Sequence, residues 1–324
     1  MDILVTGGAG FIGSHYVRTM LADGYPGYEG AEVTVIDKLT YAGNLANLPV
    51  GHPRLRFVAG DILDGDLMRR TVAGHDAVVH FAAESHVDRS LTGPDTFVLT
   101  NVVGTQSVLD ACLAVGVPRV VHVSTDEVYG SIETGAWNET WPLAPNSPYA
   151  ASKAGADLIA RAYRRTHGLD VRVTRCSNNY GSHQHVEKLI PRFVTRLLCG
   201  ERVPLYGDGA NVREWIHVSD HCRAIQLVLA SGRAGEIYNI GGEGLSNRGM
   251  TERLLALCGG GADRIEHVPD RKGHDLRYAL DDTKIRTELG YRPLVRLVDG
   301  LADVVDWYRS HPAWWQPLVA AGAR

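Results

Sequence analysis

The segment Thr6-Gly7-Gly8-Ala9-Gly10-Phe11-Ile12-Gly13 follows directly on the apolar run Ile3-Leu4-Val5. Its glycines have GxxGxxG spacing, a variant of the dinucleotide fingerprint in which glycine allows a tight turn and close approach of the backbone. A pyrophosphate is favoured at the N-terminus of the following helix, where N–H groups are unpaired. A purely structural glycine turn is the competing interpretation. The segment predicts a strand, a turn and a helix, with these cofactor-binding residues: Gly7, Gly10, Phe11, Ile12 and Gly13.

The ends of the next predicted strands offer further cofactor contacts. Asp37 ends the second strand about where a ribose-binding carboxylate belongs, and an acid there favours NAD over NADP because it repels a 2′-phosphate. Asp61 and Ile62 follow the third strand, in a position to flank the adenine. Ala82 and Ala83 follow the fourth, where small residues let the cofactor pass. These last four rest on position alone, and ordinary strand ends explain them equally well.

Short apolar runs alternate with helical patterns through the first half of the chain. The predicted strands are 3–6, 33–37, 55–59, 77–82 and 119–125, and the predicted helices are 13–21, 102–115 and 152–166. Parallel strands covered by helices on both faces read as near-continuous apolar runs. The pattern therefore predicts an α/β fold with a doubly wound parallel sheet of the Rossmann type, and a site at the carboxyl ends of its strands.

Beyond about residue 178 the pattern loosens into loops rich in Gly, Pro, Arg and His, with a return to the sheet expected around 236–240. We therefore expect two domains. The NAD-binding Rossmann domain comprises residues 1–178 plus about 217–240. A smaller, discontinuous α/β domain for the substrate comprises about 179–216 plus 241–324.

Composition excludes several classes of partner. The formal net charge of −4 gives no general attraction to nucleic acid or to an anionic membrane, so neither is expected as a partner. The five cysteines are odd in number and never in CxxC spacing, which argues against disulfides and thiolate metal sites. No leader peptide and no apolar stretch long enough to cross a bilayer are evident. We expect a cytoplasmic protein.

Tyr149 and Lys153 stand four residues apart where the third predicted helix begins, so their side chains share one face. Asn146, Ser147 and Pro148 supply a cap followed by proline in the first turn. A free tyrosine has a pKa of about 10, which an adjacent ammonium and a positive nicotinamide ring would lower. Such a pair is commonplace on surface helices. Together with the glycine loop it predicts proton abstraction from a hydroxyl as hydride leaves for NAD⁺.

Thr125, Asp126 and Glu127 end the fifth predicted strand, at the edge where the cofactor is expected. Neighbouring carboxylates can divide acid and base roles because like charges separate their pKa values. The alternative is that Asp126 and Glu127 cap a turn in solvent.

These features resemble the extended short-chain dehydrogenases/reductases. The Thr-Asp-Glu triplet is similar to that of the dTDP-glucose 4,6-dehydratases, where related sugar epimerases carry other residues after the Ser or Thr. The likeness spans nearly the whole chain and includes HFAAESHVDRS at 80–90, NNYG at 178–181, EKLIP at 187–191, LYGDGANVREW at 205–215 and RKGHDLRY at 271–278.

The resemblance implies conversion of dTDP-glucose to its 4-keto-6-deoxy derivative, with NAD as a bound catalyst. In that family's scheme Tyr149, supported by Lys153, removes the 4-hydroxyl proton and Thr125 holds that hydroxyl. Glu127 then takes the C5 proton and Asp126 protonates the departing 6-hydroxyl. Hydride taken from C4 returns to C6, so the net redox change is zero.

An acidic protein must neutralise a nucleoside diphosphate locally, and arginine suits bidentate phosphate contacts. Arg213 and Arg271 lie in polar stretches of the second domain and are expected to do so, although two ordinary surface arginines are the alternative. The resemblance places the other substrate contacts at Ser85, Asn179, Glu187, Lys188, Leu189, Pro204, Tyr206, Asn247 and His274.

Two loops depart from the family pattern. Residues 182–186 read SHQHV where the family has a proline and an aromatic residue, and 241–247 look shortened, which leaves the loop geometry near the sugar open. His183 with His185, or His217 with His221, suggest metal pairs. Histidines in polar stretches are more often solvent-facing, however, so we expect no metal site.

Other functions stay open at this stage. A UDP-sugar decarboxylase or a 4-epimerase would share the fold, but an epimerase needs no acid for a leaving 6-hydroxyl. A non-catalytic NAD-binding regulator would have lost the Tyr, the Lys or a carboxylate, and all are present here. The resemblance also implies a homodimer formed through the helices at 102–115 and 149–166.

Overall fold

The computed structural model describes residues 1–322. Its strands are β1 (Asp2–Thr6), β2 (Glu32–Asp37), β3 (Leu55–Ala59), β4 (Ala77–His80), β5 (Val120–Thr125), β6 (Val171–Cys176), β7 (Asn178–Tyr180), β8 (Val203–Tyr206), β9 (Val212–His217), β10 (Ile237–Ile240), β11 (Glu243–Ser246) and β12 (Ile265–Val268). Its α-helices are α1 (Phe11–Leu21), α2 (Gly65–Val72), α3 (Val87–Thr92), α4 (Pro94–Phe97), α5 (Gly104–Val115), α6 (Pro148–His167), α7 (Leu189–Leu198), α8 (Val218–Ser231), α9 (Asn247–Cys258), α10 (Thr283–Leu289), α11 (Leu297–Ser310) and α12 (Pro312–Gly322).

Seven parallel strands form the central sheet in the order β10-β6-β5-β4-β1-β2-β3. Alternate residues of β1 enter opposite cores, with Ile3 and Val5 on the side of α1 and α8, and Leu4 on the side of α2, α5 and α6. Both faces of the strand are therefore buried, which explains its unbroken apolar sequence. The predicted doubly wound Rossmann-type α/β fold is confirmed.

The helix that carries the predicted Tyr-xxx-Lys pair begins as its sequence indicates. The Ser147 hydroxyl accepts from the backbone N–H of Ala150, Pro148 occupies the first turn, and Gly168 ends α6 in the left-handed region at φ +73°. Capping and a proline that lacks only an unneeded N–H together fix this start. The helix packs against β5 and β6 of the central sheet.

The helix predicted at 102–115 is longer than its sequence indicates, and with that length it also meets the criteria for a membrane span, which was not expected from the sequence. The helix predicted at 102–115 starts earlier, because α4, a π-helical turn at Val98–Val103 and α5 run on as one helical stretch. This stretch, Pro94–Val115, has 22 residues and meets the length and hydropathy of a membrane span. It packs against α6 and α2, and 44% of its most apolar window is buried. A core helix meets the same criteria.

The second part of the molecule is smaller and is built from separate stretches of the chain. It has a three-stranded sheet in the order β11-β9-β7 and a two-stranded sheet of β12 and β8. Helices α7, α9 and α11 share its apolar core, which includes Phe193, Leu254 and Leu301. Between the segments of the chain that form this part, β10 pairs with β6 at the edge of the large sheet. The exact domain boundaries stay a prediction.

Candidate active site

The glycine loop between β1 and α1 has no room for side chains at two positions. Gly7 has φ +68°, and a Cβ there would lie 2.6 Å from the backbone of Ala82. A Cβ at Gly13 would lie 2.5 Å from the carbonyl oxygen of Gly7. Gly10 precedes the first residue of α1. The loop therefore brings bare backbone and a helix N-terminus to the cleft, which is the cradle that a dinucleotide pyrophosphate requires.

Asp37 is held beside this loop at the end of β2. One carboxylate oxygen accepts from the N–H of Ala9 at 3.0 Å and the other from the N–H of Leu39 at 2.8 Å. Burial raises the pKa of Asp37, while these two hydrogen bonds act in the opposite direction. The carboxylate is thus oriented toward the cleft it lines, where a ribose would meet it.

The other predicted cofactor residues line the same cleft. Asp61 pairs with Lys38 at 3.2 Å, and Ile62 is buried. The N–H of Ala82 donates to the Thr6 hydroxyl at 3.3 Å, which holds the residues after β4 against the glycine loop. One cleft contains all of these positions: Gly7, Gly10, Phe11, Ile12, Gly13, Asp37, Asp61, Ile62, Ala82 and Ala83.

Tyr149 and Lys153 reach this cleft from α6. The Lys153 ammonium donates to the carbonyl oxygen of Val123 at 2.7 Å, and burial lowers the pKa of Lys153 to about 8. Burial and the charge of Glu127 raise the pKa of Tyr149 well above its usual value, against the effect of a hydrogen bond with Thr125. In the protein alone, burial and the Glu127 charge therefore outweigh any lowering of the Tyr149 pKa by a neighbouring positive charge, and the role of Lys153 in forming a phenolate beside bound NAD stays a prediction.

Asp126 and Glu127 occupy the turn that follows β5 and differ in their surroundings. Asp126 is almost fully buried, accepts from the Thr125 hydroxyl at 3.1 Å, and has its pKa raised well above the usual value by burial and by the charges of Glu127 and Glu214. The pKa of Glu127 is raised by burial too, but the positive charges of nearby residues oppose that rise; they are Arg271, Arg213 and Lys188. The environment therefore raises both pKa values but raises that of Asp126 more, so Asp126 is the carboxyl group that holds a proton more readily.

Four of the predicted substrate residues line the cleft itself: Ser85, Asn179, Glu187 and Lys188. The Lys188 ammonium donates to the carbonyl oxygen of Ser85 at 2.5 Å. Glu187 accepts from Arg89 at 3.0 Å. These contacts join the segment at 85–89, which includes the start of α3, to the segment at 187–188 that precedes α7.

Seven predicted substrate residues lie outside the lining of this cleft, in or beside the second part of the molecule: Leu189, Pro204, Tyr206, Arg213, Asn247, Arg271 and His274. Arg213 is buried, donates to the carbonyl oxygen of Asp275 at 2.8 Å and lies 4.1 Å from the ring centre of Tyr278. Arg271 lies 3.6 Å from Asp88. Both guanidiniums are close enough to act on the pKa of Glu127, so they border the catalytic end of the cleft.

Sequence reasoning missed several cleft residues, including Lys38, Thr40, Gly43, Thr100, Val123, Ser124, Cys176, Gln184 and His185. Ser124 and Cys176 lie at the carboxyl ends of β5 and β6, so the rule on strand ends was sufficient to find them. No local signal marks Gln184, which reaches the cleft only because its loop folds back against α11.

A buried charged network lies one helical turn beyond Lys153. The Asp157 carboxylate accepts from Arg175 at 2.8 Å and lies 3.3 Å from the Nε2 atom of His122. Burial alone would raise the pKa of Asp157, but the Arg175 charge and His122 lower it well below the usual range. Asp157 also favours the charged form of Lys153. The catalytic helix is therefore anchored by a paired carboxylate.

The histidines considered as possible metal pairs contact other side chains. His221 forms a hydrogen bond with Asn179 at 2.9 Å, and His217 with Ser219 at 2.7 Å. His183 packs on Trp307 with ring centres 4.4 Å apart. Within residues 1–322, no three His, Cys, Asp or Glu side chains are grouped so as to hold a metal ion.

Known proteins are similar to this chain over nearly its whole length. The family model described as GDP-mannose 4,6 dehydratase matches residues 4–304. The dTDP-glucose 4,6-dehydratase of Streptomyces niveus is 60% identical over 98% of this chain and 96% of its own length, and that of Streptomyces antibioticus is 61% identical over 98% and 95%. The solved structure of DesIV, a dTDP-glucose 4,6-dehydratase from Streptomyces venezuelae with NAD and dTDP bound, is 64% identical with a TM-score of 0.97, covering 98% of this chain and 100% of that one.

Fold, site and likeness together define an enzyme of the NAD-dependent nucleotide-sugar dehydratase class. Within that class, the identities of 60% and above extend over nearly the whole chain. The chain belongs to the dTDP-glucose 4,6-dehydratase family.

Proposed function

We propose that the protein converts dTDP-glucose to dTDP-4-keto-6-deoxy-glucose by oxidation at C4, elimination of water across C5 and C6, and reduction at C6. The observation that carries this function is the pair of adjacent carboxyl groups, Asp126 and Glu127, in a cleft that also contains Tyr149 and the glycine loop. Bound NAD supplies the hydride acceptor for C4 and the hydride donor for C6. The likeness to the NAD-bound DesIV structure supports NAD as the cofactor.

Tyr149 is the base for the 4-hydroxyl. Its phenol shares the cleft with Thr125, whose hydroxyl contacts it and can orient the sugar's hydroxyl as well. In the protein alone burial keeps the phenol protonated. Positive charge close to the ring is therefore needed for the phenolate, and Lys153 on the same face of α6 provides part of it.

Asp126 and Glu127 divide the elimination between them. Asp126, kept neutral by burial and by neighbouring acids, gives its proton to the departing 6-hydroxyl. Glu127, whose pKa the surrounding cations keep from rising as far as burial alone would raise it, takes the proton from C5, which the 4-ketone has made acidic. Reprotonation of C5 by Glu127 completes the reduction at C6. A 4-epimerase or a decarboxylase releases no 6-hydroxyl, so neither reaction needs the proton that Asp126 holds.

The nucleotide end of the substrate belongs to the second part of the molecule, whose proposed extent is about 179–216 plus 241–324. Arg213 and Arg271 border the cleft beyond Glu127 and supply positive charge for the diphosphate. Tyr206 and His274 pack edge to face with ring centres 6.2 Å apart, beside the same segment. The remaining proposed contacts are Ser85, Asn179, Glu187, Lys188, Leu189, Pro204 and Asn247.

A homodimer is supported by an apolar surface on the helices that adjoin the site. Val98, Leu99 and Val103 of the stretch before α5 and Leu158 of α6 are each 42–53% exposed. These helices pack side by side, so the exposed groups form a patch that a second copy would cover. The five cysteines are free, in keeping with the reducing cytoplasm that we propose as the enzyme's location.

A substrate comparison tests this function. Purified protein would be incubated separately with dTDP-glucose, UDP-glucose and GDP-mannose, and each product followed by NMR. We expect a 4-keto-6-deoxy sugar from dTDP-glucose at the highest rate. Inversion at C4 without loss of oxygen from C6 would replace the dehydratase assignment with an epimerase, and faster turnover of another nucleotide would replace the substrate.

A further inference from the structure

The last described helix, α12, makes a polar contact with the cofactor side of the cleft. The Trp314 indole N–H donates to the side-chain oxygen of Asn47 at 2.9 Å. Asn47 is buried, and its own amide donates to the carbonyl oxygen of Ala9 at 3.0 Å. The contact joins residues 267 positions apart in the sequence. It thus connects the end of the chain to the middle of the glycine loop.

Ala9 is held on every polar side. Its carbonyl oxygen accepts from Asn47 and also from the N–H of Asn44 at 3.0 Å, while its own N–H donates to Asp37 at 3.0 Å. The peptide planes flanking Ala9 determine where the next amides point, those of Gly10 and the first residues of α1. Loosening one of these bonds therefore changes the cradle that the pyrophosphate meets.

Trp314 also belongs to an aromatic cluster with His183 and Trp307, which adjoins a second part of the cleft lining. The ring of His183 lies 4.4 Å from that of Trp307 and 5.5 Å from that of Trp314. The next residue, Gln184, lines the cleft, and its carbonyl oxygen accepts from the Tyr308 hydroxyl. His183 adopts φ +65°, which is unusual for a residue other than glycine and is sustained by this packing. The histidine in the divergent loop at 182–186 is thus part of the contact.

We propose that Trp314, acting through Asn47, is a positioning residue that retains NAD in the cleft. The physical reason is preorganisation: a glycine loop already held in its binding geometry loses less entropy on binding and opens less often to release its ligand. Retention suits this chemistry because hydride leaves the sugar and returns to it within one turnover, so the enzyme has no need to exchange its cofactor. The inference concerns NAD binding and does not depend on which nucleotide sugar is the substrate.

The test compares NAD release from two variants of α12. Trp314→Phe keeps an aromatic ring but removes the N–H that reaches Asn47. Its control, Trp315→Phe, removes an indole N–H that is bound at 2.7 Å to the carbonyl of Tyr308 and has no link to the glycine loop. We expect Trp314→Phe to raise the NAD dissociation rate and Kd about threefold to tenfold, the range for one net hydrogen bond. Affinity for dTDP and the unfolding temperature should change no more than in the control.

A double-variant cycle makes the route through Asn47 testable. If Trp314 acts through Asn47, adding Trp314→Phe to Asn47→Ala produces no further loss of NAD affinity. Added NAD should also restore the activity that Trp314→Phe loses on dilution. An unchanged NAD dissociation rate in Trp314→Phe, an equal increase in Trp315→Phe, or fully additive losses in the double variant would overturn the proposal.

Discussion

The two sides of the cleft place their charged groups in different surroundings. On the sheet side, Asp126 and Lys153 are almost fully buried. Burial raises the pKa of Asp126 and lowers that of Lys153, so in both cases it favours the neutral form. On the other side, Arg89 and Arg271 form partly exposed ion pairs with Glu187 at 3.0 Å and with Asp88 at 3.6 Å. Burial therefore determines protonation on the first side, whereas pairing and solvent share that role on the second.

This difference predicts which substitutions affect chemistry and which affect binding. A group whose protonation is determined by burial cannot be replaced by its uncharged analogue without loss of proton transfer. A partly exposed cation is screened, so its removal weakens the contact with substrate but leaves the reacting atoms in place. The following predictions examine that division, beginning with the largest expected effect.

Tyr149→Phe should reduce the rate of hydride transfer from C4 by about 10³-fold or more, within the range for loss of a general base. The phenylalanine keeps the ring packed on Phe97, so binding should persist. Appearance of reduced cofactor, followed at its absorbance in a stopped-flow instrument, measures this step. A rate within a few fold of the parent protein would mean that another group takes the proton.

Glu127→Gln should separate oxidation from elimination. The amide cannot take the C5 proton, so reduced cofactor should accumulate while product formation falls by about 10²–10³-fold. Rapid quenching and mass spectrometry would identify the oxidised sugar before water is lost. Normal release of 6-deoxy product from this variant would remove Glu127 from the role of C5 base.

Asp157→Asn should cost about 3 kcal/mol of unfolding free energy, because it leaves Arg175 buried without its partner. The folded-state pKa of Asp157 is lowered, so its contribution is fully present above the unfolded value of about 3.9, begins to fall below that value, and is lost completely only below the folded-state pKa. Denaturant unfolding at pH 7 and again near pH 3 should show a smaller difference between the two proteins in acid than at neutral pH. A constant difference at both pH values would show that the ion pair is not the cause.

Arg271→Ala should raise KM for dTDP-glucose about tenfold, as expected for one charged hydrogen bond. Because the Arg271 charge also lowers the pKa of Glu127, a smaller fall in kcat should accompany the change in KM. Arg89→Ala serves as the matched variant, because this exposed arginine pairs with Glu187 on the same side of the cleft and is not proposed to contact phosphate. Its effect on KM should be less than threefold. A larger effect of Arg89→Ala than of Arg271→Ala would indicate that the segment around residue 89 contacts the phosphate in place of Arg271.

The features of the site differ in how far sequence can predict them. Gly7, Asp37 and Tyr149 belong to local patterns in which the residue type and its spacing from a strand or helix end determine the location. Their arrival in one cleft follows from the parallel sheet, where all carboxyl ends meet at one edge. The α/β fold could be inferred for the same reason, since both faces of each central strand are covered.

Other features depend on contacts that no local pattern contains. The Lys153 ammonium binds the carbonyl of Val123, a backbone atom that residue spacing does not single out. Trp314 and Asn47 meet only because the end of the chain folds back across the first domain. The length of the helical stretch before α5 was also underestimated, because a π-helical turn carries it back to Pro94.

Deuterium incorporation at C5 tests the central claim most directly. The protein would be incubated with dTDP-glucose in deuterated water, and the product examined by NMR and mass spectrometry. A 4-keto-6-deoxy product that carries solvent deuterium at C5 and none at C6 is the predicted result, because Glu127 exchanges its proton with solvent while hydride passes internally from C4 to C6. A product without deuterium at C5, or with solvent deuterium at C6, would contradict the proposed division of roles between Glu127 and the bound cofactor.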